Sequence, residues 1–271
     1  FVTTEALGPL QLKGKSEAIP VYRVKGINRQ PSVWPGPTGR TLRRFVGRER
    51  EMRIMADCHS HVSMGMGRAV AIVGEPGVGK SRLLLEFGRT VTERGFLFLE
   101  GRCLSYGSTT PYLPVIELLR GLCGIEPTDS PAAEAAKIQG ELRKLNMGEK
   151  TAGPLLLRML GHMKDDEPAL PGAQLKARTF DALQEFMLKA SKRRPLILAL
   201  EDIHWIDRTS EEYLQFFIQR SATIPILLVV TCRPEYGAAW MDQHLTTKIL
   251  LGSLSATQSL DVLRQVLPEA M

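Results

Sequence analysis

The sequence predicts an α/β fold, a parallel sheet flanked by helices, preceded by a short β segment and a Pro/Gly linker. Three observations point there. From Phe45 onward, short apolar runs alternate with stretches of helical periodicity, the signature of strand–helix–strand crossovers. A glycine-rich turn, Gly74 to Ser81, lies between one such run and one such helix. Residues 27–42 carry Pro31, Pro35, Gly36, Pro37 and Gly39, which set them apart as a linker.

Taken in order, Val2 to Ala6 and Leu10 to Lys13 read as strands, with a turn at Gly14-Lys15 and a further strand over Ile19 to Val24. Arg68 to Val73 is an apolar run ending in glycine, the pattern of a buried parallel strand. Lys80 to Thr92 places Leu84, Phe87 and Val91 on one helical face. Phe96 to Glu100 reads as a strand, and Tyr112–Leu122, Ala132–Leu145 and Leu175–Lys192 as helices. Leu196 to Leu200 is a strand, Ser210 to Arg220 a helix, Ile226 to Thr231 a strand, Lys248 to Leu251 a last strand and Thr257 to Leu267 a helix. Residues 124–173, rich in Pro, Gly and charge, are the region least defined by pattern.

The 271 residues are 44% hydrophobic and 24% charged, which excludes collagen-like and wholly disordered chains. No apolar run approaches the ~18 residues of a membrane span, and no signal-peptide pattern opens the chain. Phe1 in place of Met, and an end at Pro-Glu-Ala-Met271, fit a fragment of a longer protein. The net charge of +6 resides wholly in residues 1–44; the remainder is balanced. Those basic residues are spread along a strand-like segment and a linker without interleaved aromatics, so they read as solvated surface rather than a nucleic-acid interface. The cysteines (Cys58, Cys103, Cys123, Cys232) show no CxxC spacing, which argues against a zinc site and for reduced thiols in a cytoplasm.

Gly74-Glu-Pro-Gly-Val-Gly-Lys-Ser81 matches the phosphate-loop pattern in full, after a strand and before a helix. Gly74, Gly77 and Gly79 let the backbone wrap an anion without a clashing Cβ, and successive N–H groups at the helix start point at it. Glu75, Pro76, Val78 and the following Arg82 belong to the same binding loop. Lys80 reaches β- and γ-phosphates and the Ser81 hydroxyl can ligate Mg²⁺. The fold therefore reads as a P-loop NTPase. Leu196 to Leu200 runs straight into Glu201-Asp202, acids at the carboxyl edge of the sheet, where ligands bind. One would hold Mg²⁺ and the other orient the attacking water.

Together these motifs resemble the STAND branch of the AAA-type P-loop ATPases over about residues 45–271. Glu201-Asp-Ile-His-Trp-Ile-Asp207 is similar to that family's Walker B region, and Phe45-Val-Gly-Arg-Glu-Arg-Glu51 to its N-terminal signature. Thr231-Cys-Arg-Pro-Glu235 resembles its sensor segment, and Gly101-Arg-Cys and Thr110-Pro-Tyr-Leu-Pro114 also recur in the branch. The resemblance implies adenine against Val46, Gly47 and Arg48, and Arg233 on the γ-phosphate. By position it gives Glu201 the metal and Asp202 the water, roles the two acids could exchange. Glu201 stands where most P-loop proteins carry Asp. The family's C-terminal winged-helix module would follow beyond Met271.

Residues 7–24, Leu-Gly-Pro-Leu-Gln-Leu-Lys-Gly-Lys-Ser-Glu-Ala-Ile-Pro-Val-Tyr-Arg-Val, resemble the closing strands of a class III adenylate/guanylate cyclase catalytic domain. That resemblance puts Lys13 on a substrate triphosphate, although the family's metal-binding acids would lie upstream of this chain. The expected organisation is a cyclase tail over 1–26, a linker over 27–44 and an ATPase domain over 45–271. The expected function is an ATP-binding, ATP-hydrolysing switch coupled to a cyclase, with ATP/ADP and Mg²⁺ as cofactors and self-association as a further partner mode. The alternatives are a nucleotide-gated scaffold without turnover and the ATPase module of a LuxR-type transcription regulator, which needs a C-terminal helix-turn-helix. Beyond these motifs, His204 and Trp205 read as core packing, His59 and His61 as a solvated pair, Lys192-Arg-Arg194 as a solvated helix end and Asp207 as one of three possible caps of the next helix.

Overall fold

The computed structural model describes residues 2–10, 19–27, 44–107, 110–162 and 171–264. The chain divides into two compact units, Phe1–Pro35 with Glu126–Thr128, and Gly36–Ile125 with Asp129–Met271. In the first, β1 (Val2–Leu10) and β2 (Ile19–Ile27) pair as an antiparallel hairpin. β1 extends past the expected Val2–Ala6 to Leu10, with breaks in register between Thr3 and Thr4 and between Ala6 and Gly8, whose φ of 88° suits glycine; residues 11–13 of the second expected strand lie outside the described residues. Glu5 pairs with Arg23 and Lys25. Lys13 and the Gly14-Lys15 turn lie outside the described residues.

In the larger unit the elements run α1 (Glu49–Ser63), β3 (Arg68–Val73), α2 (Lys80–Glu93), β4 (Leu97–Arg102), α3 (Leu113–Cys123), α4 (Pro131–Lys144), α5 (Glu149–Met159), α6 (Gly172–Arg193), β5 (Leu196–Glu201), α7 (Arg208–Arg220), β6 (Ile226–Cys232), β7 (Thr246–Leu250) and α8 (Ala256–Arg264). The five strands form a parallel sheet in the order β4-β5-β6-β3-β7. β3, the first of these five in the chain, therefore sits between the last two, β6 and β7. Alternate side chains such as Ala71, Leu198 and Val230 join α3, α6 and α7 in one apolar cluster, while α1 packs on β3 and β6. A sheet covered on both faces explains why β5 and β6 are apolar and buried at nearly every position.

Two helices, α1 and α5, are not assigned by the sequence pattern, and the expectations for His59 and Arg194 are corrected. The stretch after Phe45 is helical: α1 buries Met55, Cys58, His59 and Val62 at helical spacing. His59 is accordingly buried, its ring 4.2 Å from that of Phe96, and only His61 remains partly exposed. Residues 149–159 form α5 despite Pro154 within it. Arg194 is more than a solvated helix end, because its guanidinium donates to the carbonyls of Gly95 and Phe96 and so ties the entry of β5 to that of β4. Asp207 caps α7, accepting the Ser210 N–H at 2.9 Å. All four cysteines are buried and free.

Candidate functional site

The carboxyl ends of β3, β4, β5 and β6 meet at one edge of the sheet. After β3, the loop from Gly74 to Gly79 turns into α2. Gly77 and Gly79 have φ of 78° and 102°, backbone that L side chains rarely adopt. At Gly74 the constraint is steric, since a Cβ would come within 2.7 Å of the Leu251 carbonyl. Lys80 lies at the first turn of α2, and its ammonium folds back to donate to the carbonyls of Gly74 at 2.7 Å and Glu75 at 3.0 Å. The loop thus holds a buried cation at its centre.

Beside it lies a cleft of about 320 Å³ lined by Pro76, Gly77, Gly79, Lys80, Ser81, Arg82, Asp202, Trp205 and Arg233. Residues predicted from three separate segments are brought together there: the loop, the acid after β5 and the arginine after β6. Val46, Gly47 and Arg48 do not line this cleft. Arg48 instead donates to the Gly252 carbonyl at 2.6 Å and the Val78 carbonyl at 3.2 Å, and pairs with Glu51. A Cβ at Gly47 would overlap the Gln258 side chain of α8 at 2.4 Å. These residues clasp the phosphate loop to the segment after β7. Phe45 stands 5.8 Å from the Arg82 guanidinium.

The two acids occupy different environments. Asp202 faces the cleft, its side chain 38% exposed. Its backbone is left-handed at φ 55°, a conformation Asp tolerates better than most residues. Its N–H donates to the Thr231 hydroxyl at 2.9 Å, and Thr231 is wholly buried in β6. Glu201 is the last residue of β5 and only 4% exposed. Burial works against its carboxylate, but hydrogen bonds from Glu100 and the Ser81 hydroxyl, with the charge of Arg102, hold it below the usual carboxylate range. Glu100 takes the opposite shift: burial first, then its hydrogen bond to Glu201, push its carboxyl up.

Trp205 is a correction to the core-packing expectation. Its ring packs partly on the core and also forms the cleft wall, 5.2 Å from the Arg233 guanidinium and 4.3 Å from the His204 ring. His204 has no hydrogen bond on either ring nitrogen. Burial, and then the charges of Arg233 and Lys80, lower its pKa against the pull of Asp202. Glu100 lies outside the motifs, and Arg102, Thr231 and the platform of Trp205 lie within them without an assigned role. The first two flank Gly101, whose strand end is the signal that leads to them. A Cβ at Gly101 would lie 2.3 Å from the Pro114 carbonyl, so β4 ends hard against α3.

A family model described as "AAA ATPase domain" matches residues 44–230. An uncharacterized protein of Rhizobium meliloti (strain 1021) is 28% identical over 97% of this chain; the chain spans a quarter of that curated relative's length. Among solved structures, the Aeropyrum pernix ORC1 protein in complex with DNA is 16% identical, with 82% of this chain and 49% of that chain covered at a TM-score of 0.44. Drosophila ORC bound to DNA is 13% identical, with coverages of 79% and 44% and a TM-score of 0.43. No helix among the described residues is long and apolar enough to cross a membrane.

Proposed function

Because the chain belongs to the AAA ATPase domain family, we propose that its cleft binds ATP and hydrolyses it slowly, as the switch of a larger cytoplasmic signalling protein of STAND type. The observation that carries this reading is the buried Lys80 ammonium at the centre of the loop, flanked by Ser81, Asp202 and Arg233. A triphosphate entering the cleft would draw Lys80 from the Gly74 and Glu75 carbonyls onto its β- and γ-oxygens, with loop N–H groups replacing water around the anion. ATP and ADP are both ligands in this reading.

The residues present fit Mg²⁺. The Ser81 hydroxyl lies close enough to favour the ionised Glu201 carboxylate, giving a hard-oxygen pair of the kind that binds Mg²⁺ through one or two protein ligands and phosphate oxygens. When bound, the ion would neutralise charge on the phosphates. Asp202, in the cleft and more exposed, would accept a hydrogen bond from the attacking water and orient it. Arg233, backed by Trp205, would stabilise charge on the γ-phosphate.

Within the same proposal, 1–26 is the tail of a nucleotide cyclase domain, 27–44 a linker and 45–271 the ATPase domain, so the switch would regulate an attached cyclase. The hairpin pairing of β1 and β2 supports that reading of the first segment. The test is ATP binding and phosphate release by the parent chain and by Lys80→Ala, each with thermal melting. Loss of both activities at unchanged melting supports the proposal. Equal nucleotide affinity in the two forms refutes it, and tight binding without phosphate release replaces the ATPase by a nucleotide-gated scaffold.

A further inference from the structure

Behind the cleft, β4 and β5 set three ionisable side chains side by side. Their parallel register pairs Arg102 with Glu201 and Glu100 with Ala199. Glu100 and Arg102, two residues apart on one strand, share a face. The Arg102 Nη2 lies 3.0 Å from Oε1 of Glu100 and 3.0 Å from Oε1 of Glu201. The strand end that carries it is fixed in turn, because the Arg102 backbone N–H donates to Glu117 Oε2 of α3 at 2.6 Å.

Glu201 needs such a partner. Its side chain is 5% exposed and lies beside a second carboxyl, an arrangement that is costly for a lone carboxylate. Glu also has one more torsion than Asp, so its head group must be fixed by something outside the residue. A planar guanidinium that spans two carboxyls does this better than a point charge. Arg102, Glu100 and Glu201 itself all stand behind the lining of the cleft, which Ser81 reaches, so any effect Arg102 has on a ligand runs through Glu201 and the Ser81 hydroxyl it faces.

We propose that Arg102, braced by Glu100, is the positioning residue that holds the Glu201 carboxylate against the Ser81 hydroxyl and so readies the metal side of the site. This rests on the reading of the cleft as an ATP–Mg²⁺ site. Without Arg102 the Glu201 head group turns away from Ser81 and contributes nothing to a Mg²⁺-bound nucleotide. Half of the Arg102 side chain is exposed, so its replacement leaves the core in place.

The experiment compares ATP affinity by calorimetry in Mg²⁺ and in EDTA for the parent chain, Arg102→Gln, Arg102→Lys, Glu201→Gln and the double variant Arg102→Gln/Glu201→Gln, with melting curves for each. The expected result is that Arg102→Gln loses about tenfold of the affinity gained from Mg²⁺, the scale of a charge-assisted hydrogen bond, while affinity in EDTA stays at the parental value; melting falls, because the buried Glu201 loses its cation, and the double variant, which also removes that charge, recovers part of the fall. Arg102→Lys recovers part of the gain. The double variant loses no more than Glu201→Gln alone, since the two residues act as one unit. If Arg102→Gln keeps the full Mg²⁺ gain where Glu201→Gln loses it, or if the two losses add, the positioning role is overturned and the ATP site stands. If the parent chain binds no ATP in either condition, both fall.

Discussion

Replacing Thr231 by Val changes almost nothing in shape, yet should loosen the acid at the cleft. The Thr231 hydroxyl accepts the Asp202 N–H at 2.9 Å from a wholly buried position. Valine fills the same volume in β6 and suits a strand, so the loss is confined to one hydrogen bond. A buried donor left unpaired costs about 1–3 kcal/mol. Asp202 is only half-buried, so water recovers part of this and the lower range, about 1–2 kcal/mol, is expected. For a domain of this size that is roughly 2–8 °C in Tm. The same bond helps hold Asp202 at φ 55°. Released, the backbone relaxes and the carboxylate shifts, and a shift of an ångström in a catalytic group costs up to about a hundredfold in rate. Melting followed by circular dichroism, with steady-state phosphate release, measures both effects. Thr231→Val should melt lower and lose roughly ten- to hundredfold in kcat with little change in KM, and Thr231→Ser should restore both. A Val variant that melts and hydrolyses like the parent would refute the argument.

Asp202→Asn should bind ATP in Mg²⁺ within about twofold of the parent and lose turnover, because its contact forms chiefly in the transition state; Arg233→Ala should lose about one to two orders of magnitude in preference for ATP over ADP. Competitive binding and phosphate release measure the two, and reduced ATP affinity in Asp202→Asn would move the metal role from Glu201 to Asp202. Arg48→Ala removes two hydrogen bonds to carbonyls and an ion pair, and should lower denaturant stability by about 1.5 kcal/mol, the low end for charged donors whose acceptors reach water; unchanged stability would show that the clasp contributes nothing. His59 gives a pH dependence. Burial, and then Arg94, hold its pKa below the ordinary 6.5. The unfolded chain therefore takes up a proton that the folded one refuses, and stability falls as pH drops below 6.5 towards the folded value. His59→Phe should make the fall in Tm between about pH 7 and 5 shallower than in the parent; identical slopes would exclude His59 as a contributor.

The phosphate loop is legible in the chain because its parts are contiguous: an apolar run, three glycines at fixed spacing, Lys80 and a helix. The acids after Leu200 are legible for the same reason. Their difference in burial is not, because it depends on which strand lies beside β5. Once β4 pairs there, Glu201 meets Arg102 and Glu100, and no local pattern announces that register. The helix α1 follows a regular apolar spacing, but its buried positions are Met55, Cys58, His59 and Val62, two of which draw attention as chemistry before packing. α5 hides behind Gly153 and Pro154, which local preference assigns to loops. Arg48 has the residue type of a ligand contact, and only the fold shows its guanidinium turned to the Val78 and Gly252 carbonyls.

The placement of β3 between β6 and β7 has a consequence for biosynthesis. β3 leaves the ribosome early, but its neighbours begin only at Ile226 and Thr246. Until they emerge, an almost wholly apolar strand has both edges open, the condition under which nascent chains aggregate or recruit chaperones. The phosphate loop hangs from this strand, and the Gly252 carbonyl that anchors Arg48 arrives later still. Nucleotide therefore cannot act as a template for the early steps of folding, and can stabilise the site only once the chain as far as β7 and Gly252 has been made.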